Sequence, residues 1–270
     1  WQRTTEREVN RRDKTLRRFL EGILMILSIV LLSISIYFLM GMFAQEKHDR
    51  DVYEKVIEIY ENAEEQTGED EDRESEEEKQ VQINAGLLAL HEENPDCIGW
   101  ITIEGTVIDY PVMYHPGEKN YYLHRDFDGN YSAAGSLFIS EICDPQNCDN
   151  LLIYGHHMNS GSMFAALEGY KKHDFYEKHP LISYSTLHGE ETYQVIAAFS
   201  TPVYTGKDFA YYSFSKAVDA RDYDNYIRTC KSLSYYETGF SAKYGDRLLT
   251  LSTCEYSHKN GRMVVVAKKL

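Results

Sequence analysis

Residues 23–43, ILMILSIVLLSISIYFLMGMF, form an uncharged run of 21 residues. At about 1.5 Å of helical rise per residue, such a run matches a hydrocarbon core about 30 Å thick. A buried core helix is rarely uncharged over that length. A cleaved signal peptide has a shorter apolar region and a small-residue cleavage site, which MGMFAQE supplies poorly. The run therefore reads as a retained transmembrane helix. Residues 1–18 ahead of it hold seven bases against three acids. The positive-inside rule then keeps residues 1–22 in the cytoplasm and places everything after about residue 44 outside the cell. The sequence has no second apolar run of that length, so the expectation is a single-pass protein in the cell membrane, held by lipid around residues 23–43.

Residues 46–60, EKHDRDVYEKVIEIY, read as a short helix with Val52, Val56, Ile59 and Tyr60 on one side. Residues 61–78 then carry eleven acids and one base. They lack apolar periodicity and repel one another, which predicts an extended, solvated stalk over 44–80. The net charge of −15 argues against nucleic acid as a partner, because phosphate contacts need clustered Lys and Arg.

Residues 81–270 carry the folded domain. INAGLLALHEE has Leu87, Leu88, Leu90 and His91 in helical register, and Asn94-Pro95-Asp96 ends it. Eight strand candidates follow: IGWITIEG, VIDYPVMY, GSLFIS, NLLIYG, LISYSTL, ETYQVIAAFS, RLLTLST and RMVVVAKKL, each bounded by turn residues. SMFAALEGYKKHDFYEK and DARDYDNYIRTCKSL read as helices. Strands and helices do not alternate regularly, so a mostly β barrel decorated by helices fits better than βαβ units.

Five cysteines are present: Cys97, Cys143, Cys148, Cys230 and Cys254. An odd number in an exported domain leaves at least one thiol free or paired between chains. Cys143 and Cys148 are close enough in sequence for a disulfide or a shared metal, but C-x4-C without a second Cys/His pair does not specify zinc. These two, with Cys97 and Cys230, read as structural thiols. Cys254 closes one strand candidate, and Arg262 opens the next across a short polar connection. A thiol becomes a nucleophile when a base or cation makes its thiolate available. Among the ten histidines, His156 stands out, because it ends a very apolar strand after Gly155, whose lack of a side chain lets the chain turn. His258, nearer to Cys254 in sequence, ranks second. Spacing alone leaves a buried cysteine and an unrelated loop histidine as an equal alternative. Arg262 adds a permanent cation whose directed N–H groups suit a tetrahedral oxyanion. No Asp or Asn orienter is evident, so a papain-type Cys-His-Asn set is not indicated.

TLSTC with an Arg eight residues later in RMVVVAK, together with IYGHHM…GSMFAAL, resembles the sortases, and in detail their class B. IGWITIEGTVIDYPVM, NYYLHRDFDGNYSAAGSLFIS and LLTLSTCEY extend the resemblance over almost all of 90–270. It implies an eight-stranded sortase-type β-barrel with N-terminal helices and a helix in the connection between the sixth and seventh strands, here about 201–246. It also implies a cysteine transpeptidase that cleaves a C-terminal sorting signal of secreted proteins and joins them to a cell-wall peptidoglycan amine through a thioacyl enzyme. Cys254 is then the nucleophile, His156 the acid and base, and Arg262 the group that orients the signal and holds the oxyanion. The backbone N–H of Glu255 adds an oxyanion donor, and Ser252, Glu255 and Leu123 line the signal-binding groove. Some relatives carry Asp two residues after the cysteine; here Tyr256 stands there, so no carboxylate role is carried over. The calcium-binding acidic set of class A is not recognisable, and neither metal nor cofactor is expected. Two other readings remain: a membrane-tethered cysteine peptidase that uses water as acceptor, and a non-catalytic surface scaffold in which Cys254→Ala is neutral.

Overall fold

The computed structural model describes residues 2–71, 84–203, 209–255 and 260–270. Helix α1 spans Gln2–Glu71. Within Arg17–Glu65 it carries a window long and apolar enough to cross a membrane, with a mean hydropathy of 2.7. Its serine hydroxyls are satisfied inside the helix: Ser28, Ser33 and Ser35 each donate to the carbonyl four residues back, at 2.9 Å. Contacts divide the chain into residues 1–50 and residues 51–270.

Residues 51–71 thus group by contact with the unit that holds the barrel. Residues 44–71, expected as extended stalk beyond a short helix, are helical. The physical reason is visible from residue 52 onward. Val52 and Val56 are buried against Leu87, Leu90, Trp100 and Phe127, and the Tyr60 ring stacks on Trp100 at 4.2 Å. Glu64 accepts the Gly86 backbone N–H at 3.0 Å. An apolar stripe at helical spacing thus overrides the acidic self-repulsion as far as its partners extend. Residues 72–80 of the expected stalk lie outside the described residues.

All eight strand candidates form strands: β1 (Cys97–Thr102), β2 (Asp109–Met113), β3 (Leu137–Ile139), β4 (Asn150–Tyr154), β5 (Leu181–Thr186), β6 (Gly189–Pro202), β7 (Leu248–Glu255) and β8 (Gly261–Lys269). They close into a barrel in the order β1-β2-β3-β4-β7-β8-β6-β5. Most pairs are antiparallel, but β2 runs parallel to β3 and β4 runs parallel to β7. Closure removes the exposed edges of an open sheet. Three further helices are α2 (Ala85–Glu93), α3 (His173–Lys178) and α4 (Ala220–Leu233). The Asn84 side chain caps α2 by accepting the Leu87 N–H at 2.6 Å, and Asp219 caps α4 by accepting that of Asp222 at 2.9 Å. Helix α4 lies in the β6–β7 connection and buries Tyr223, Tyr226, Ile227 and Cys230.

Parallel pairing of β4 with β7 needs a specific register, and a buried polar cluster helps to hold it. Asn150, wholly buried, donates from Nδ2 to the Phe214 carbonyl at 2.8 Å and accepts from Thr250 Oγ1 at 2.7 Å. Asn150 begins β4, and Thr250 lies two residues into β7.

Candidate active site

The β4–β7 register pairs Asn150 with Leu248 and Tyr154 with Ser252. Carried two residues beyond the strand end, the same offset sets His156 against Cys254. On the other side of β7, Cys254 pairs directly with Arg262 of β8. The imidazole, thiol and guanidinium residues thus occupy one level on three neighbouring strands. All three line a single cavity of about 300 Å³, with Leu123, Tyr211 and Ser252 also in its wall.

Gly155 is needed just before His156, though not for a left-handed turn, since its φ is not among the positive values. A Cβ there would overlap Leu137 and approach Phe164 to within 2.8 Å. Glycine lets the end of β4 pass under these side chains, so the reason is close packing rather than turning. His157, by contrast, forms an isolated bridge with Met163.

Among the described residues, no carboxylate bonds His156. Its Nε2 instead lies 2.8 Å from the Leu123 carbonyl. An Nε2–H that donates to this oxygen leaves Nδ1 as the acceptor and fixes the tautomer. The orienter missing from the sequence is therefore a backbone group. Burial pushes the His156 pKa below its ordinary value; the Leu123 bond opposes this, while the charges of His124 and Arg262 reinforce it. His124 stacks on His156 with ring centroids 5.2 Å apart, and also on Tyr131 at 6.3 Å. His156 thus favours its neutral form more than a free imidazole does.

Cys254 is half-buried and unpaired with any other cysteine. Arg262 is also half-buried, and its Nη1 donates to the Gly261 carbonyl at 2.9 Å. That bond holds the guanidinium near the strand start. Ser252 is buried, and its hydroxyl lies 2.7 Å from the Tyr211 hydroxyl, so it helps fix the cavity wall. Thr253 Oγ1 is buried without a hydrogen-bond partner among the described residues and borders the same cavity. The Glu255 backbone continues β7 opposite Gly261. His258 and Tyr256 lie outside the described residues.

The structure thus gathers the three residues predicted to be catalytic, along with Leu123 and Ser252. Sequence reasoning missed His124, Tyr211 and the role of the Leu123 carbonyl. The Leu123-His124 adjacency in YYLH was the available signal: one short 3₁₀ turn, Tyr121–His124, delivers both the carbonyl and the stacking ring.

A thiol, an imidazole and a guanidinium at the ends of adjacent barrel strands define the class of cysteine-dependent acyl-transfer enzymes. The sortase-domain family model matches residues 101–270, and the chain belongs to the sortase family. It is 32% identical over 257 residues to sortase B of Staphylococcus aureus, which covers 94% of this chain and 97% of the relative. Sortase B of Listeria monocytogenes is 34% identical over 194 residues, or 69% of this chain and 75% of the relative. The structure of a Staphylococcus aureus sortase B–substrate complex superposes with a TM-score of 0.70 at 30% identity, covering 84% of this chain and 98% of that one. The chain is accordingly an enzyme of the sortase cysteine-transpeptidase type, similar to class B members.

Proposed function

We propose that this chain is a membrane-anchored transpeptidase that joins secreted proteins to an amine of the cell wall. The observation that carries the reading is the common level of His156, Cys254 and Arg262 in one cavity, set by the β4–β7–β8 register. The apolar helix window, single among the described residues and with its serines internally satisfied, supports the anchor. The basic segment ahead of it supports a cytoplasmic N-terminus and an exterior barrel. The acidic segment 61–80 then lies on the outer side as a spacer, its first residues continuing the docked helix.

Cys254 Sγ, as thiolate, attacks the scissile carbonyl of a sorting signal. Arg262 and the backbone N–H of Glu255 hold the developing oxyanion. His156 protonates the departing amine and so releases the C-terminal fragment. The remaining acyl group stays on Cys254 as a thioester. An incoming amine attacks this thioester while His156 takes its proton, and the amide product leaves with the thiol restored. The proton that His156 gives to the departing amine is replaced by the one it takes from the incoming amine, so the cycle balances. Ser252, Leu123 and Glu255 bound the groove that receives the signal.

The test gives the full chain in detergent a sorting-signal peptide with and without a primary amine. The expected result is an amide-linked product that requires both amine and Cys254. Cleavage to a free carboxylate at every amine concentration points instead to the water-using peptidase.

A further inference from the structure

We propose that Cys143 and Cys148 join as a disulfide that staples the β3–β4 loop, which forms one wall of the active-site cavity. Both thiols are buried, with relative exposures of 2% and 7%, in one core cluster; they are unbridged in the structure, Cys143 Sγ donates to the Asn150 carbonyl at 3.5 Å, and each is close enough to perturb the other's ionisation. Among the five cysteines this is the pair in contact: Cys97 packs with the α1–α2 side cluster, and Cys230 sits on α4.

The local chain is folded to bring these two together. Asp144 starts a single turn: its carbonyl accepts the Asn147 N–H at 3.1 Å and the Cys148 N–H at 2.9 Å. Its side chain accepts the Gln146 N–H at 3.0 Å and Asn147 Nδ2 at 2.8 Å. This turn carries Cys148 back over Cys143. The ends are tied as well: Tyr114 Oη donates to the Cys143 carbonyl at 2.9 Å, and Arg247 Nη2 donates to the Pro145 carbonyl. Residues Ser140, Glu141 and Ile142, immediately before Cys143, line the cavity beside His156 and Cys254. A covalent bond at 143–148 therefore fixes the C-terminal end of that wall.

The chemistry suits thiol–disulfide exchange. The neighbouring Cys143 side chain holds the Cys148 thiol below its ordinary value, and the Arg247 charge adds to this. The Cys148 side chain and burial push Cys143 up. Cys148 attacks one sulfur of a small-molecule aliphatic disulfide and releases one small thiol. Cys143 then gives up its proton and attacks the Cys148 sulfur of the mixed disulfide, releasing the second small thiol. Two protein thiols are oxidised and one small disulfide is reduced to two thiols. The inference uses the exterior placement proposed above, where such oxidants persist, but not the catalytic assignment.

The full chain in detergent is equilibrated with oxidised and reduced glutathione, quenched with N-ethylmaleimide, denatured and mapped by mass spectrometry. The expected peptide carries both Cys143 and Cys148, is lighter by about two mass units than its reduced form and has no maleimide at either residue. Cys97 and Cys230 take the label after denaturation. Oxidation raises the thermal midpoint by about 5 °C and slows amide exchange at residues 140–142. Neither change occurs in the Cys143→Ser/Cys148→Ser double variant. Maleimide on both cysteines under oxidising conditions, or a bridge from either one to Cys97 or Cys230, overturns the pairing. A mapped disulfide with unchanged exchange at 140–142 overturns its role as a staple. Turnover is not read, so failure here is separable from failure of the transpeptidase reading.

Discussion

At the scale of single residues, the account turns on how His156 is held. Its lowered pKa arises first from burial, with His124 and Arg262 adding positive charge nearby. A proton titration of the His156 ring by NMR, in a Cys254→Ala background to remove coupling, is expected to give a midpoint below about 6.5. His124→Gln raises that midpoint, because the neighbouring imidazole that disfavours a positive charge on His156 is removed; a fall contradicts the stacking argument. The stability consequence has a defined sign. Below about pH 6.5 the unfolded chain binds a proton at this site that the folded chain resists, so stability is lost as pH falls from there through the folded midpoint. Arg262→Lys is expected to lower kcat/KM by about 100-fold, because a single ammonium lacks the planar fork that the oxyanion role uses. A loss of less than about threefold in a peptide-cleavage assay removes Arg262 from that role. Cys254 and Arg262 were legible in sequence because strand ends and short connections are local features. The Leu123 carbonyl was not, because a backbone group carries no residue-type signal and lies 33 positions from His156.

Among the elements, the parallel β4–β7 pair does most to create the site. Its strands are joined through some hundred residues of chain, and the pairing sets His156 and Cys254 at one level. Asn150 stabilises this pair with two short bonds to the Phe214 carbonyl and Thr250, whereas the Tyr226 hydroxyl reaches Asn150 and Thr250 only by long contacts, at 3.5 Å and 3.4 Å, and also meets the Cys230 thiol. Asn150→Ala strands two buried groups and is expected to cost about 3 kcal/mol. Tyr226→Phe keeps the ring stacked on Phe214 at 3.9 Å and is expected to cost less than about 1 kcal/mol. Urea unfolding measures both, and equal costs contradict the assignment of the register to Asn150. All eight strands were legible because each is a short apolar or alternating run between turn residues. Their order in the barrel was not legible from the runs alone, since β4–β7 and β6–β8 pairings depend on contacts distant in sequence. The resemblance to a known family implied the barrel that periodicity could not order.

On the scale of the whole molecule, the sequence reading divided the chain by charge, and the structure divides it by contact. The helix with Val52, Val56, Ile59 and Tyr60 on one side was legible, but its complement on α2 and β1 is invisible without the fold, and the acidic residues that follow masked its continuation to Glu71. A chain beginning at Asp51 is expected to keep the thermal midpoint of residues 51–270, whereas one beginning at residue 66 loses about 10 °C through the exposed Val52 and Val56 sites and the Tyr60–Trp100 stack. Equal midpoints contradict the inclusion of this helix in the folded unit. The central claim is that Cys254 carries the acyl group between a sorting signal and an amine. Its most direct measurement is intact-mass spectrometry of the full chain in detergent, mixed with a library of sorting-signal peptides without amine, followed by peptide mapping. The account predicts one acyl adduct, located on Cys254, which a primary amine discharges as an amide. Cleavage that persists in Cys254→Ala, or an adduct on any other residue, contradicts it.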